Sequence, residues 1–184
     1  MAMTALDPVA ALVVIDLQKG IAGLPSVDPM SQVVAHTVEL ARAFRSRALP
    51  VVWVNVTGRP TGRSDQSFSR RIPAPDWNEL LPELGVEPAD LHVSKQTWGA
   101  FTGTGLDQKL RALGVTQIVL AGVATCMGVE STARLAHELG YNVVLARDAM
   151  TDLDAEAQRI SLEKILPRLG EVDSTENILK FLNG

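Results

Sequence analysis

Cysteine is almost absent from this chain of 184 residues, which contains only Cys126. A single cysteine cannot form an intrachain disulfide, and it fits a reducing compartment. Aromatic residues make up only 4% of the sequence, and the three histidines, at positions 36, 92 and 137, are too scattered to predict a metal site. We therefore expect a domain that folds without disulfides, and a site that holds no metal.

Long apolar runs and an excess of positive charge are also missing. No run approaches the 18 apolar residues of a membrane span, and no basic segment precedes an apolar one at the N-terminus. The formal net charge of −4 gives no reason to expect nucleic acid or a membrane as a partner. Gly122 and Gly128 do not make the G-x-G-x-x-G pattern of dinucleotide sites, so we expect no cofactor. The expectation is a cytoplasmic protein.

Short apolar runs alternate with amphipathic stretches along the whole chain. The runs predict strands over residues 9–15, 51–56, 90–93, 116–120, 141–145 and 171–172. The amphipathic stretches predict helices over residues 30–47, 105–113, 129–139, 154–166 and 176–182. This alternation is typical of an α/β fold with a parallel sheet and helices on both faces. The length predicts one domain over residues 1–184.

Chemistry-bearing residues follow three of the predicted strands. Asp16 comes directly after the first, Lys95 soon after the third, and the segment AGVATCMGVEST at 121–132 directly after the fourth. The carboxyl ends of parallel strands meet at one edge of the sheet, where open α/β sheets bind ligands. From position alone, Asp16 is either a ligand-facing carboxylate or a cap for the next segment. By the same test, Lys95 is an ordinary surface lysine.

Three short motifs decide between these readings, because they resemble those of the isochorismatase-like hydrolases. They are I-D-L-Q at 15–18, K-x-x-x-G-A-F at 95–101 and the turn that begins at Gly122. This superfamily includes cysteine amidases such as nicotinamidases and N-carbamoylsarcosine amidases. The resemblance implies a Rossmann-like three-layer α/β/α fold with a six-stranded, mostly parallel sheet. It also implies catalytic roles for Asp16 and Lys95, and a homo-oligomer, either a dimer or a tetramer.

The register of the turn separates two branches of that superfamily. In the cysteine amidases, the nucleophilic cysteine stands six residues after the glycine of the turn, and here that position is Gly128. Cys126 comes two residues earlier, and two helical residues rotate a side chain by about 200°. Isochorismatases resemble G-V-x-x-x-x-G and often lack the cysteine, which is the pattern of this chain. We therefore predict that Gly128 faces the site and that Cys126 points away from it.

Three hypotheses for function remain open. In the first, Asp16 protonates an enol ether carbon, water attacks the resulting oxocarbenium-like species, Lys95 orients Asp16, and Gly128 leaves room for substrate. Isochorismate itself is not favoured, because the Y-T-A-Q-P segment that isochorismatases carry after the second strand is absent. In the second, Cys126 is the nucleophile of an amidase, with Asp16 as base; the alternative for Cys126 is a small buried apolar residue. In the third, the chain is a non-catalytic binding protein.

Four further residues are predicted to contact substrate. Trp98 and Phe101 lie beside Lys95 and are predicted to form a pocket wall, with the hydrophobic core as the alternative. The resemblance implies a cis peptide bond between Val123 and Ala124, which aims the backbone N–H groups of Ala124 and Gly128 at the substrate. The D-x-H zinc motif that nicotinamidases carry after the second strand is absent, which again predicts no metal.

An arginine-rich segment at 57–82 is the least regular part of the sequence. Its four arginines are Arg59, Arg63, Arg70 and Arg71. They could hold a carboxylate of the substrate through paired hydrogen bonds, or they could simply face solvent or another subunit. We favour the second interpretation, because most arginines lie on protein surfaces.

Overall fold

A parallel sheet lies at the centre of the computed structural model, which describes residues 3–65 and 74–183. Within those ranges the sheet has six strands, in the order β3-β2-β1-β4-β5-β6. The strands are β1 (Ala10–Ile15), β2 (Val51–Val56), β3 (Leu91–Lys95), β4 (Gln117–Val123), β5 (Asn142–Thr151) and β6 (Glu171–Asp173). Every neighbouring pair is parallel. The predicted α/β fold with a six-stranded sheet is confirmed.

Helices connect the strands and cover the sheet. They are α1 (Lys19–Ala22), α2 (Met30–Ser46), α3 (Leu106–Ala112), α4 (Glu130–Glu138), α5 (Ala155–Ile160) and α6 (Thr175–Asn183). A π-helical turn at Thr125–Val129 leads directly into α4, and a second at Ser161–Ile165 follows α5. Within the described ranges, no helix is both long enough and apolar enough to cross a membrane.

Two hydrophobic clusters lie on the two faces of the sheet. Alternate residues of β1 belong to each: Ala11, Val13 and Ile15 to one, and Ala10, Leu12 and Val14 to the other. Helices α3 and α4 pack on the first face, and α2 and α6 pack on the second. Because β1 lies between β2 and β4 and is covered on both faces, it reads as an unbroken apolar run in the sequence.

The neighbouring strands β4 and β5 are both longer than predicted. β4 runs to Val123 and β5 runs to Thr151, so the predicted strand ends at residues 120 and 145 are wrong. The two strands pair in two registers, with a shift between Leu120 and Gly122. This irregularity lets β5 continue through the polar residues Arg147 and Asp148, where the apolar pattern breaks. The predicted helix over 154–166 is likewise divided, into α5, a π-helical turn and the start of a 3₁₀ turn at Leu166–Arg168.

Candidate functional site

Asp16 and Lys95 meet at the carboxyl edge of the sheet. Asp16 directly follows β1, and Lys95 is the last residue of β3, two strands away. Lys95 Nζ donates to Asp16 Oδ2 at 2.7 Å and to the carbonyl of Thr97 at 3.1 Å. Asp16 is 5% exposed and Lys95 is 2% exposed. The structure therefore joins two residues from separate sequence motifs in one buried ion pair, beside the point where the strand order reverses between β1 and β4.

The backbone of Asp16 has an uncommon conformation. Its φ of 53° lies in the left-handed region, which costs most residues energy and is tolerated best by glycine, asparagine and aspartate. Its N–H donates to the carbonyl of Val54 in β2 at 2.9 Å, which holds the residue at the end of the strand. Backbone conformations of this kind cluster at functional sites, where the surrounding structure enforces them.

Burial dominates the electrostatics of Asp16. Loss of solvation outweighs the charge and hydrogen bond of Lys95, which lower the pKa, and the net effect raises the pKa of Asp16 to about 6. Its second oxygen, Oδ1, is buried and has no hydrogen-bond partner among the described residues. A carboxyl group with a pKa near 6 exchanges its proton close to neutral pH, which suits a group that must both give and take a proton.

The turn after β4 brings Gly128 against Asp16. The peptide bond between Val123 and Ala124 is cis. A Cβ atom built on Gly128 would lie 3.4 Å from Asp16 Oδ2 and 2.8 Å from Ile15 Cγ2. Position 128 therefore faces the ion pair, but the space that a side chain would need is already taken by Ile15.

Cys126 lies in a different environment. Its backbone N–H donates to Asp152 Oδ2 at 2.6 Å. Burial, a hydrogen bond to Asp152 and the negative charges of Asp152 and Glu130 raise the pKa of the thiol to about 12. The reactive form of cysteine is the thiolate, which a nearby cation favours. Here the charges that act on the sulfur are carboxylates, so the thiol stays protonated at neutral pH.

Thr132 forms hydrogen bonds with both the loop that follows Lys95 and the turn that contains Gly128. Its Oγ1 donates to the carbonyl of Gly128 at 2.6 Å and accepts from the N–H of Ala100 at 3.0 Å. A Cβ on Gly99 would lie 3.3 Å from the carbonyl oxygen of Ser131, so the G-A-F segment packs closely on the start of α4. The sequence gives no signal of this role of Thr132, because a threonine within a helix does not reveal these two contacts.

The four predicted substrate contacts differ in their surroundings. Trp98 is 47% exposed, and Ala124 is half-buried. Phe101 is buried in the cluster with α3 and α4, where its ring stacks on Tyr141 at a centroid distance of 5.9 Å. Val123 is buried in the cluster on the opposite face. The contacts of Phe101 and Val123 are those of core residues, whereas Trp98 has a free surface beside the Lys95 loop.

Gln18 connects strand β2 with the arginine-rich segment at 57–82 through hydrogen bonds. Its amide exchanges hydrogen bonds with the backbone of Val56, at 2.8 and 3.1 Å, and donates to the carbonyl of Trp77 at 3.2 Å. Next to it, Lys19 forms ion pairs with Asp76 at 2.9 Å and Glu79 at 2.7 Å. The I-D-L-Q string contained Gln18, but the string alone does not reveal that its side chain binds two other segments.

The arginines of that segment are only partly described. Arg59 and Arg63 are exposed, in agreement with the surface interpretation, while Arg70 and Arg71 lie outside the described residues. The described ranges also contain no group of three or more histidine, cysteine, aspartate or glutamate side chains that could hold a metal ion.

Substitution of Gly128 by alanine tests the geometry of the turn. We expect Gly128→Ala to lower the free energy of unfolding by about 1–3 kcal/mol, because the new Cβ overlaps Ile15. Urea denaturation measures this, with Gly62→Ala as the control, since a Cβ at Gly62 meets nothing within 4 Å. Equal stability of the two variants would show that position 128 does not face Ile15 as described.

Comparisons with known proteins agree on one family. A family model described as the isochorismatase domain matches residues 10–177. The chain is 42% identical to the isochorismatase family protein YwoC of Bacillus subtilis, over 92% of each chain. It is 27% identical to the ureidoacrylate amidohydrolase RutB of Pseudomonas syringae, over 91% of this chain and 81% of that protein. A solved isochorismatase family structure from Burkholderia thailandensis superimposes with a TM-score of 0.93 and 45% identity, over 98% of both chains.

Proposed function

Since the chain belongs to the isochorismatase family and is a hydrolase, we propose that it cleaves a small molecule by acid-assisted hydrolysis, without a covalent enzyme intermediate. The proposed catalytic residues are Asp16 and Lys95, with Gly128 forming the floor of the site. The single observation that carries this proposal is the arrangement around Asp16. Its carboxyl group has Lys95 on one side and a side-chain-free position on the other.

The position of Gly128 argues against a nucleophile in this site. A residue at 128 would place its Cβ next to Asp16, where a cysteine could exchange a proton with the carboxylate. We propose that Gly128 occupies the place of the nucleophilic cysteine of the cysteine amidases. The cysteine that the chain does contain is held against Asp152 with its thiol protonated. A mechanism that uses water and a proton from Asp16 needs no group at position 128.

The proposed steps balance as a hydrolysis. Protonated Asp16 transfers its proton to the carbon of an enol ether C=C bond, which leaves an oxocarbenium ion and an Asp16 carboxylate. Water adds to the cationic carbon and returns one proton to Asp16. The resulting hemiketal then breaks its C–O bond and gives a ketone and an alcohol. Lys95 holds Asp16 Oδ2 in place and stabilises its charged form between the two proton transfers.

Two regions beside the ion pair are proposed to contact the substrate. Trp98 supplies an exposed aromatic surface next to the Lys95 loop, which suits the wall of a small-molecule site. The backbone N–H groups of Ala124 and Gly128 are proposed to bind a substrate oxygen, as the family resemblance implies. Phe101 and Val123 are proposed to act behind this wall, since both are buried in the core.

A second candidate function is amide hydrolysis, and the ureidoacrylate amidohydrolase among the relatives favours it. In its simplest form Cys126 would be the nucleophile. The raised pKa of the thiol and its two carboxylate neighbours oppose that role, because both disfavour the thiolate. An amide could instead be cleaved by water with Asp16 as the proton carrier, which keeps the same site and changes only the bond.

Alkylation of Cys126 tests the proposal. We expect turnover of a panel of small enol ethers and amides to survive iodoacetamide treatment, and Cys126→Ala to retain at least about half of the wild-type kcat/KM, because the thiol takes no part in the reaction. Product release, followed by chromatography, is the measurement. Turnover that disappears both after alkylation and in Cys126→Ala would establish the cysteine amidase instead. Purified protein that turns over no member of the panel would favour a non-catalytic binding protein.

A further inference from the structure

Asp152 is a buried carboxylate that lies outside the three sequence motifs and has no role in the proposed chemistry. It directly follows β5, the strand beside β4, and is 1% exposed. Its Oδ2 accepts the N–H of Cys126 at 2.6 Å, and its Oδ1 accepts the N–H groups of Leu153 at 2.7 Å and Asp154 at 3.4 Å. Burial of a carboxylate is costly unless its lone pairs are used, and here backbone donors use both oxygens.

The hydrogen bond to Cys126 lies at the start of the π-helical turn Thr125–Val129. The first N–H groups of a helix have no partner within the helix, and they favour a negative charge at that end. Asp152 supplies such a charge two residues before Gly128. Its own carbonyl also accepts the N–H of Val27 at 2.9 Å, so the same residue joins the turn, the end of β5 and the segment before α2.

We propose that Asp152 is a positioning residue for the active-site turn, which it holds through the N–H of Cys126 so that Gly128 stays against Asp16. The inference rests on the proposed function only for its catalytic consequence. The structural contact itself can be tested without any substrate. The role is indirect, because the hydrogen bonds of Asp152 are to the turn, to Val27 and to the residues just before α5, and none of them is to Asp16 or Lys95 among the described residues.

Asp152→Asn is the sharpest test, since it keeps the shape and removes one acceptor. Asparagine offers one carbonyl oxygen, so its NH₂ group must face the N–H of either Cys126 or Leu153. The matched control is Asp154→Asn, two residues along. Asp154 lies on the surface and caps α5 by accepting the N–H of Ala157 at 2.8 Å.

Two measurements report on the surroundings of the active-site turn without any substrate. The backbone amide NMR signals of residues 124–129 should shift in Asp152→Asn and stay in place in Asp154→Asn. The thiol of Cys126 should also react faster with iodoacetamide at pH 9, because after burial the hydrogen bond and charge of Asp152 are the main causes of its raised pKa. Unchanged signals and an unchanged alkylation rate in Asp152→Asn would overturn the proposal.

The catalytic readout separates positioning from general stability. In Asp152→Asn, kcat should fall about 10- to 100-fold, since a small displacement of the reacting groups has an effect of that order. KM should change by less than about threefold, and both constants should stay near wild type in Asp154→Asn. A kcat equal to that of the control, with the NMR signals shifted, would overturn the catalytic consequence of the proposal. If wild-type protein shows no turnover, the proposed function fails, while the amide shifts and the alkylation rate still decide whether Asp152 holds the turn.

Discussion

Replacement of Asp16 by asparagine is expected to lower kcat/KM by a factor of about 10² to 10⁴, the usual contribution of a general acid–base group. Asparagine keeps the size of the side chain and can still accept the hydrogen bond of Lys95, but it has no proton to transfer near neutral pH. The loss should appear mainly in kcat, because the proton transfer belongs to the transition state and not to substrate binding. Steady-state kinetics on whichever substrate the wild-type protein hydrolyses measures the effect.

The control for this variant is the same change at the opposite end of the sheet. Asp7 accepts hydrogen bonds from Thr116 at 2.6 Å and Asn142 at 3.0 Å, beside the amino ends of β4 and β5. Asp7→Asn should therefore leave kcat/KM unchanged. Asp16→Asn also leaves Lys95 buried without an anionic partner, so the folded fraction of each variant must be measured by circular dichroism before rates are compared. A folded Asp16→Asn protein with wild-type kcat would remove Asp16 from the mechanism.

Replacement of Lys95 by methionine is expected to lower the free energy of unfolding by about 3–5 kcal/mol at pH 7, the usual effect of breaking a buried ion pair. Methionine fills most of the space of the lysine chain, so the loss reflects the unpaired Asp16 carboxylate and not a large cavity. Lys109→Met is the control, because Lys109 is exposed and its Nζ donates a long hydrogen bond of 3.5 Å to the carbonyl of His92. Urea denaturation of both variants measures the difference.

The destabilisation by Lys95→Met should depend on pH in a defined direction. Burial raises the folded-state pKa of Asp16 from 3.8 to about 6, so its contribution to stability is complete below pH 3.8 and is lost as the pH rises through 6. Without Lys95 the pKa of Asp16 rises further, because the cation no longer lowers it. At pH 5 the Asp16 carboxyl is mostly protonated in both the wild-type protein and Lys95→Met. The loss in free energy of unfolding caused by the substitution should therefore be smaller at pH 5 than at pH 7. An equal deficit at pH 5 and pH 7 would show that Asp16 does not titrate in this range.

The sequence predicts the parts of this fold and site that depend on local patterns. β1 reads as a buried strand because both of its faces are covered, and the strand ends place Asp16 and Lys95 at one edge of the sheet. The helical rotation between positions 126 and 128 predicts different surroundings for Cys126 and Gly128. In the structure, a Cβ on Gly128 would lie beside Asp16, while the backbone N–H of Cys126 donates to Asp152.

The remaining features depend on tertiary contacts that no local pattern encodes. β5 continues through Arg147 and Asp148 because its pairing with β4 changes register, which a break in apolar residues would not suggest. Asp152 lies in the string T-D-L-D, where Asp154 is the helix cap, so its bond to Cys126 is visible only in three dimensions. The pKa of Asp16 likewise reflects the balance between its burial and its distance from Lys95, and both of these are set by the packing of three strands.

The pH dependence of kcat/KM for an enol ether substrate tests the central claim most directly, because it reports the protonation state of the free enzyme. If protonated Asp16 is the acid, kcat/KM should be constant below pH 6 and fall about tenfold per pH unit above it, in line with the raised pKa of that carboxyl. The same profile should be found after alkylation of Cys126. A rate that instead increases with pH through the range in which a thiol loses its proton would contradict the account and identify a thiolate as the reacting group.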